Sequence, residues 1–214
     1  MANEIFDNLA KAVKEFSSEN AADWARKAIE AKLDPLQAVE ALTGAIREVG
    51  DAFAAGDYFL PELLGAAEAM QSAMPILNEE IKKGPGEIAS AGTVVAGTVA
   101  GDIHNIGKSI FCTLLSAEGF EVFDLGVDVP VDRFLGAVKE HKPDIVAMSA
   151  LLTITAAEQK NVIEALEKGG FRNSIKVIVG GAAISEQFAE SIGADGYDPT
   201  AVGGVKLARD LLRL

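Results

Sequence analysis

The feature that most restricts the fold of this chain is a change of hydrophobic period partway along it. Up to about residue 84, apolar residues recur at helical spacing in IFDNLAKAVKEF, WARKAIEAKL, LQAVEALTGAIREVGDAF and LPELLGAAEAMQSAMPIL. Four helices follow from that pattern. The third has a start signal: Asp34 can cap, Pro35 suits the first helical position, and Gln37 sits where a capping box wants an amide. Gly56-Asp57 interrupts the run, and Pro61 can begin the fourth helix.

Beyond GPGEIAS (84–90), a Gly- and Pro-containing stretch that reads as a linker, the pattern changes class. Short apolar runs (TVVAGTVA, FEVFDLG, DIVAMSA, KVIVGG, ADGYD) alternate with amphipathic stretches such as IGKSIFCTLLSAEG and VDRFLGAVKEHK. That alternation predicts βαβ units with five strands and five helices. We therefore expect an α/β protein: a four-helix bundle over residues 1–88, then a doubly wound, flavodoxin-like (Rossmann-type) five-stranded parallel sheet over residues 89–214. Such sheets bind ligands at the carboxyl ends of their strands, beside the point where strand order reverses. The first and third strands should flank it.

Composition excludes several partners. The chain of 214 residues, 49% of them hydrophobic, can bury a sizeable core, and its formal net charge of −13 repels phosphate backbones and anionic headgroups. With no local basic patch to offset that charge, neither nucleic acid nor a membrane surface is an expected partner. The N-terminus has no basic start followed by an apolar run, so it does not read as a secretory signal, and the expected location is cytoplasmic. A single cysteine, Cys112, lies in the apolar stretch SIFCTLL and reads as a buried core thiol.

The loop leaving the first strand is GDIHNIGKS (101–109), which places Asp102, His104 and Gly107 on the functional edge of the sheet. An imidazole can ligate a transition metal through one nitrogen while the other donates to a carboxylate that fixes its tautomer. Asp102, two residues upstream, is the natural acceptor. Gly107 opens the next helix without a side chain, leaving room for backbone or a bulky ligand. A phosphate-binding P-loop needs four residues between its glycines, and here five separate Gly101 from Gly107. A G-x-G-x-x-G dinucleotide fingerprint is also absent from this turn. By itself the loop leaves two readings open, a metal ligand or a histidine hydrogen-bonded to its neighbours. His141, in EHKPD, reads as an exposed residue at a helix end rather than a second ligand.

Two further motifs fall at strand ends. Ser149-Ala150-Leu151 closes the third strand and Gly180-Gly181-Ala182 the fourth; 41 residues separate Gly107 from Ser149, and 28 separate Leu151 from Gly180. At these spacings, Asp102-x-His104-x-x-Gly107, Ser149-x-Leu151 and Gly180-Gly181 together resemble the cobalamin-binding family. The resemblance implies His104 as lower axial ligand to cobalt, displacing the cofactor's own base. It implies Asp102 as acceptor from the other imidazole nitrogen, and Ser149 as a hydrogen-bond partner of Asp102 or of the cofactor tail. Together His104, Asp102 and Ser149 would form a protonation path. Further implied contacts are Gly101, Ile103, Asn105, Ile106, Gly107 and Leu151, with Thr153 at the corrin or tail. Gly180, Gly181 and Ala182 would leave a slot for the tail, and Tyr197 would cover its nucleotide end.

The helical part resembles the cap of methyl-carrying corrinoid proteins through Tyr58-Phe59-Leu60-Pro61-Glu62-Leu63-Leu64, followed by Met70 and Met74. Phe59 or Leu63 would touch the methyl face. The family implies a corrinoid (methylcobalamin or cob(I)alamin) methyl carrier, catalytically incomplete alone. A substrate-specific methyltransferase would load it, a second would unload it to a folate-type or thiol acceptor, and a reductive activator is a further implied partner. The alternatives are the corrinoid subunit of a radical mutase, which needs a large substrate barrel, and a cobalamin sensor, which expects a DNA-binding segment and a basic face.

Overall fold

The computed structural model describes residues 2–83 and 90–214, in two compact units, 1–89 and 90–214. The boundary drawn at 88/89, and the linker apart from Ser90, lie outside the described residues. Among the described residues, no helix is long and apolar enough to cross a membrane.

The first unit holds α1 (Ala2–Lys14), α2 (Ser18–Glu30), α3 (Pro35–Ala55) and α4 (Leu60–Lys83). Local chemistry sets the ends. Ser17 caps α2 by accepting from the Asn20 N–H, and the Asp34 carboxylate accepts from the Leu36 N–H at 2.9 Å, with Pro35 first in α3. Gly56 ends α3 in a left-handed conformation, its N–H turned back on the last carbonyls. The apolar stripes meet in a core that includes Leu9, Val13, Leu42, Leu63, Met70 and Leu77, all fully buried.

The second unit alternates β1 (Thr93–Thr98), α5 (Ile106–Ala117), β2 (Glu121–Asp124), α6 (Val131–His141), β3 (Ile145–Ser149), α7 (Thr153–Lys168), β4 (Lys176–Gly180), α8 (Glu186–Ser191), β5 (Gly196–Tyr197) and α9 (Ala201–Leu212). All strand pairs are parallel, in the order β2-β1-β3-β4-β5. This is the doubly wound, flavodoxin-like order, and it follows from sequence: strands such as Val94-Val95-Ala96 and Ile145-Val146-Ala147 are apolar on both faces because both are covered by helices. Val95, Val146 and Val177 join Phe134 and Val138 of α6 and Val162, Ile163 and Leu166 of α7 in one apolar cluster. α5 and α9 contact each other beside the sheet.

The register aligns the functional ends. Thr98 of β1 is level with Ser149 of β3, and Ser149 with Gly180 of β4. The connections after β1 and β3 therefore leave the sheet side by side at the reversal of strand order.

Candidate functional site

Between β1 and α5 the chain makes a tight loop. Gly101 adopts φ 76°, the Asp102 N–H returns to the Val99 carbonyl at 3.2 Å, and the buried Thr98 hydroxyl donates to the His104 carbonyl at 3.0 Å. The result turns the Asp102 side chain inward and leaves the His104 side chain 46% exposed.

Asp102 is fully buried, and both its oxygens are engaged. Oδ1 accepts from the His104 N–H at 3.1 Å and pairs with His104 Nδ1 at 2.7 Å. Oδ2 accepts from the Leu151 N–H at 2.8 Å, from the Leu152 N–H at 3.3 Å and from the Thr155 hydroxyl at 2.7 Å. Burial alone would raise the pKa of this carboxyl. The Thr155 hydroxyl, the His104 N–H and ring and the Leu151 N–H outweigh it and hold the carboxyl well below the usual carboxylate range. An ionised Asp102 is an acceptor for Nδ1–H, which leaves Nε2 as the ring nitrogen available to a metal.

Beside this imidazole lies a cavity of about 570 Å³. Its floor is the small-residue edge of the sheet, including Ala96, Ala147, Ser149 and Gly180, and its rim carries Ile103, His104, Asn105, Ile106, Gly107 and Leu151. Gly181 and Ala182 after β4, and Asp198 to Ala201 before α9, close another side. Gly181 is required there on two counts: its φ is 115°, and a Cβ would lie 2.0 Å from the Ala150 carbonyl oxygen.

Several predicted residues sit elsewhere or act differently. Ser149 lines the cavity, but its hydroxyl does not bond Asp102; Thr155 occupies that position. Thr153 is exposed at the start of α7 and is not on the cavity wall. The reason is helical phase. The buried stripe of α7 runs through Thr155, Ala156, Gln159, Val162, Ile163 and Leu166, and extending that period toward the N-terminus picks out Thr155, with Ile154 80% exposed beside it. Tyr197 is in β5 and packs against the apolar cluster, so the cavity wall is formed by the next residues, Asp198 to Thr200, instead. There Asp198 Oδ1 accepts from the Thr200 N–H and hydroxyl, both at 2.8 Å, while Thr200 Oγ1 caps α9.

Lys108 and Phe111 of α5 also face the cavity and were not among the predicted residues. Lys108 is buried and its ammonium pairs with Asp124 at the end of β2, which accounts for the Gly-Lys-Ser sequence without any phosphate. In the first unit, Leu63 is buried in the bundle core, whereas Phe59 is 70% exposed.

Among the described residues, no group of three or more His, Cys, Asp or Glu could hold a free metal ion. One imidazole nitrogen beside a mainly apolar cavity suits a metal that arrives with its other ligands, carried by a large organic cofactor.

Comparison with known proteins agrees with that chemistry. A family described as B12 binding domain matches residues 92–206, and a second family of the same description matches residues 5–78. Trimethylamine corrinoid protein 1 of Methanosarcina acetivorans is 42% identical over 98% of this chain and 97% of its own length. The solved methanol:cobalamin methyltransferase complex of Methanosarcina barkeri has a chain that superposes with a TM-score of 0.86 at 32% identity, over 100% of this chain and 81% of that one. A cobalamin-binding protein from Desulfitobacterium hafniense superposes with a TM-score of 0.81 at 34% identity, over 96% and 98% of the two chains.

Proposed function

The chain belongs to the B12-binding family of corrinoid proteins, and from that membership we propose that it is a methyl carrier. It takes a methyl group from a substrate-specific methyltransferase and yields it to a second methyltransferase with a folate-type or thiol acceptor. The observation that carries this reading is the His104 imidazole, tied through Nδ1 to a buried, ionised Asp102 and free at Nε2 beside the cavity. When bound, the corrinoid supplies a cobalt centre able to accept and release methyl.

This chain's own residues fit such a group. His104 Nε2 would hold the metal, and Asp102, paired with Nδ1, would fix the ring's orientation and tautomer. Thr155 and the Leu151 N–H keep that carboxylate ionised, so a proton entering at the imidazole is shared with a charged acceptor rather than held by a buried acid. Past Ser149 and Gly180-Gly181 the side chains are small or absent, which would leave room for the cofactor's tail. Of Phe59 and Leu63, the two residues proposed for apolar shielding, Phe59 is exposed on its own unit and Leu63 is buried in the bundle core, which favours Phe59.

Similarity along nearly the full length of a trimethylamine corrinoid protein supports a carrier over a mutase subunit or a sensor. A reductive activator belongs to the same scheme, because a cobalt(I) centre is easily oxidised. A cytoplasmic location fits the one buried, unpaired Cys112.

The test is reconstitution of the full chain with hydroxocobalamin, reduction to the cobalt(II) state and paramagnetic resonance. The expected result is a histidine nitrogen on cobalt in the wild type and its loss in His104→Ala. Survival of that nitrogen in the variant overturns the ligand assignment. Labelled methyl that never reaches the cobalt from any candidate methyltransferase overturns the carrier role.

A further inference from the structure

The loop that presents His104 is gripped by a residue from a different connection. Asp128 lies between β2 and α6 and is one of the non-glycine residues with left-handed backbone, φ 52°. Its N–H donates to the Asp102 carbonyl at 2.9 Å, and its Oδ1 accepts from the Gly101 N–H at 2.7 Å. One residue thus closes both ends of the Gly101–Asp102 segment.

The turn that carries Asp128 is itself anchored. The Thr98 N–H donates to the Gly126 carbonyl at 3.0 Å, and the Val129 N–H to the Thr98 carbonyl at 3.0 Å, extending the parallel β1–β2 ladder past the strand ends. Gly126, two residues earlier, also has positive φ, 88°, and there the sequence supplies the residue that adopts it freely. At 128 it supplies aspartate, which tolerates the left-handed region better than most residues but less well than glycine. What aspartate adds over glycine is the carboxylate oxygen on Gly101. A conformational outlier retained with a specific bond is a reason to look for a role.

We propose that Asp128 is a positioning residue for the cobalt ligand, acting through Asp102. The inference rests on reading His104 as the corrinoid ligand. Two restraints are needed to place a carboxylate: one on its main chain and one on its oxygens. Leu151 and Thr155 supply the second, and Asp128 supplies the first together with the Val99 carbonyl that accepts from the Asp102 N–H. With both in place the Nδ1 partner is fixed, and with it the direction of Nε2. Without the Asp128 carboxylate, the Gly101 N–H loses its acceptor at a residue whose φ of 76° gives the chain freedom to turn, and the remaining bonds must hold the segment alone.

Three full-length variants separate the causes. Asp128→Asn keeps an acceptor oxygen and a tolerance for left-handed backbone. Asp128→Gly relieves the backbone and removes the acceptor, and Asp128→Ala removes the acceptor while keeping the strain. The readouts are amide hydrogen exchange over residues 101–104 without cofactor, the histidine-nitrogen splitting in the cobalt(II) spectrum, and the dissociation constant for hydroxocobalamin. We expect Asp128→Ala and Asp128→Gly to exchange faster in that segment alone, to lose or broaden the splitting, and to bind about tenfold more weakly. Asp128→Asn should match the wild type in all three.

Wild-type behaviour of Asp128→Gly would show that only backbone conformation matters and would overturn the proposal. So would unchanged exchange and splitting in Asp128→Ala when the wild type carries its histidine nitrogen. A wild type with no histidine nitrogen on cobalt would overturn the ligand reading, and the positioning role with it.

Discussion

Thr155 donates its hydroxyl to Asp102 Oδ2 at 2.7 Å, so a residue of α7 holds the carboxylate that orients the imidazole leaving β1. The Leu152 carbonyl is also within reach, at 2.9 Å, but a hydroxyl has one proton and the charged acceptor takes it. Substituting Thr155→Ala leaves a buried carboxylate short of one donor. The expected cost is about 2 kcal/mol of unfolding free energy, with cobalamin affinity lower by about tenfold. Thr155→Ser should recover most of both. Denaturant melts and cofactor titration of the two variants check this, and an alanine variant with wild-type affinity would remove Thr155 from the site.

Phe59 and Leu63 make a contrasting pair. Leu63 is buried in the four-helix core, so Leu63→Ala should cost about 2–5 kcal/mol through the cavity it leaves. Phe59 is 70% exposed, and Phe59→Ala should change stability by no more than about 0.5 kcal/mol. If Phe59 shields the cofactor, the reduced Phe59→Ala holoprotein should nonetheless reoxidise faster in air than the wild type. Equal reoxidation rates would take Phe59 out of that role.

The fold was legible because its period is written into the chain. Runs such as Val94-Val95-Ala96 and Ile145-Val146-Ala147 signal strands covered on both faces, and the stretches between them carry one-sided apolar stripes. The site was legible where residues are adjacent in sequence: Asp102 and His104 are two apart, and a loop that short brings them together. It was less legible where the partner comes from another element. Thr153 and Thr155 differ only in helical phase, and which one faces Asp102 depends on where α7 begins. The position of Tyr197 is not legible either, because β5 is only two residues long: Tyr197 still packs against the apolar cluster, and the cavity wall is built by the residues that follow it, from Asp198. Asp128 gave no sign in sequence, because its role depends on a backbone conformation and a bond across 27 positions.

Cys112 ties stability to alkaline pH. Burial, reinforced by the negative Asp124 and opposed by Lys108, pushes its thiol up to about 12 from an ordinary value of 9.0. The folded state therefore keeps a proton that the unfolded chain releases. Stability owed to Cys112 is intact below pH 9 and falls as pH rises from there toward 12, by about 1.4 kcal/mol per pH unit. The difference between wild type and Cys112→Ala, measured across that range, isolates this contribution from the lysines and tyrosines. A difference that does not change above pH 9 would mean the thiol is solvated. In the native protein at pH 8 the thiol should also resist a disulfide-exchange reagent until the chain unfolds.

Two glycines of the cavity should separate fold from cofactor binding. At Gly181 a methyl group would lie 2.0 Å from the Ala150 carbonyl oxygen, on a backbone with φ 115°, so Gly181→Ala must move the end of β3 or the turn after β4. We expect a loss of about 3 kcal/mol, which for a domain of this size lowers Tm by about 6–12 °C even without cofactor. At Gly107 a Cβ meets nothing within 4 Å, and the residue stands in the first turn of α5 on the cavity wall. Gly107→Ala should leave the melting temperature of the cofactor-free chain unchanged or raise it slightly, since alanine is the better helix former. Its effect should appear only on adding cobalamin, because the methyl group occupies space the cofactor approaches. Calorimetry with and without hydroxocobalamin distinguishes the two: Gly181→Ala should lower both melting temperatures, and Gly107→Ala should reduce only the increase that the cofactor confers. If Gly107→Ala retains the full increase, the cofactor does not approach the start of α5, and the open space there serves the helix alone.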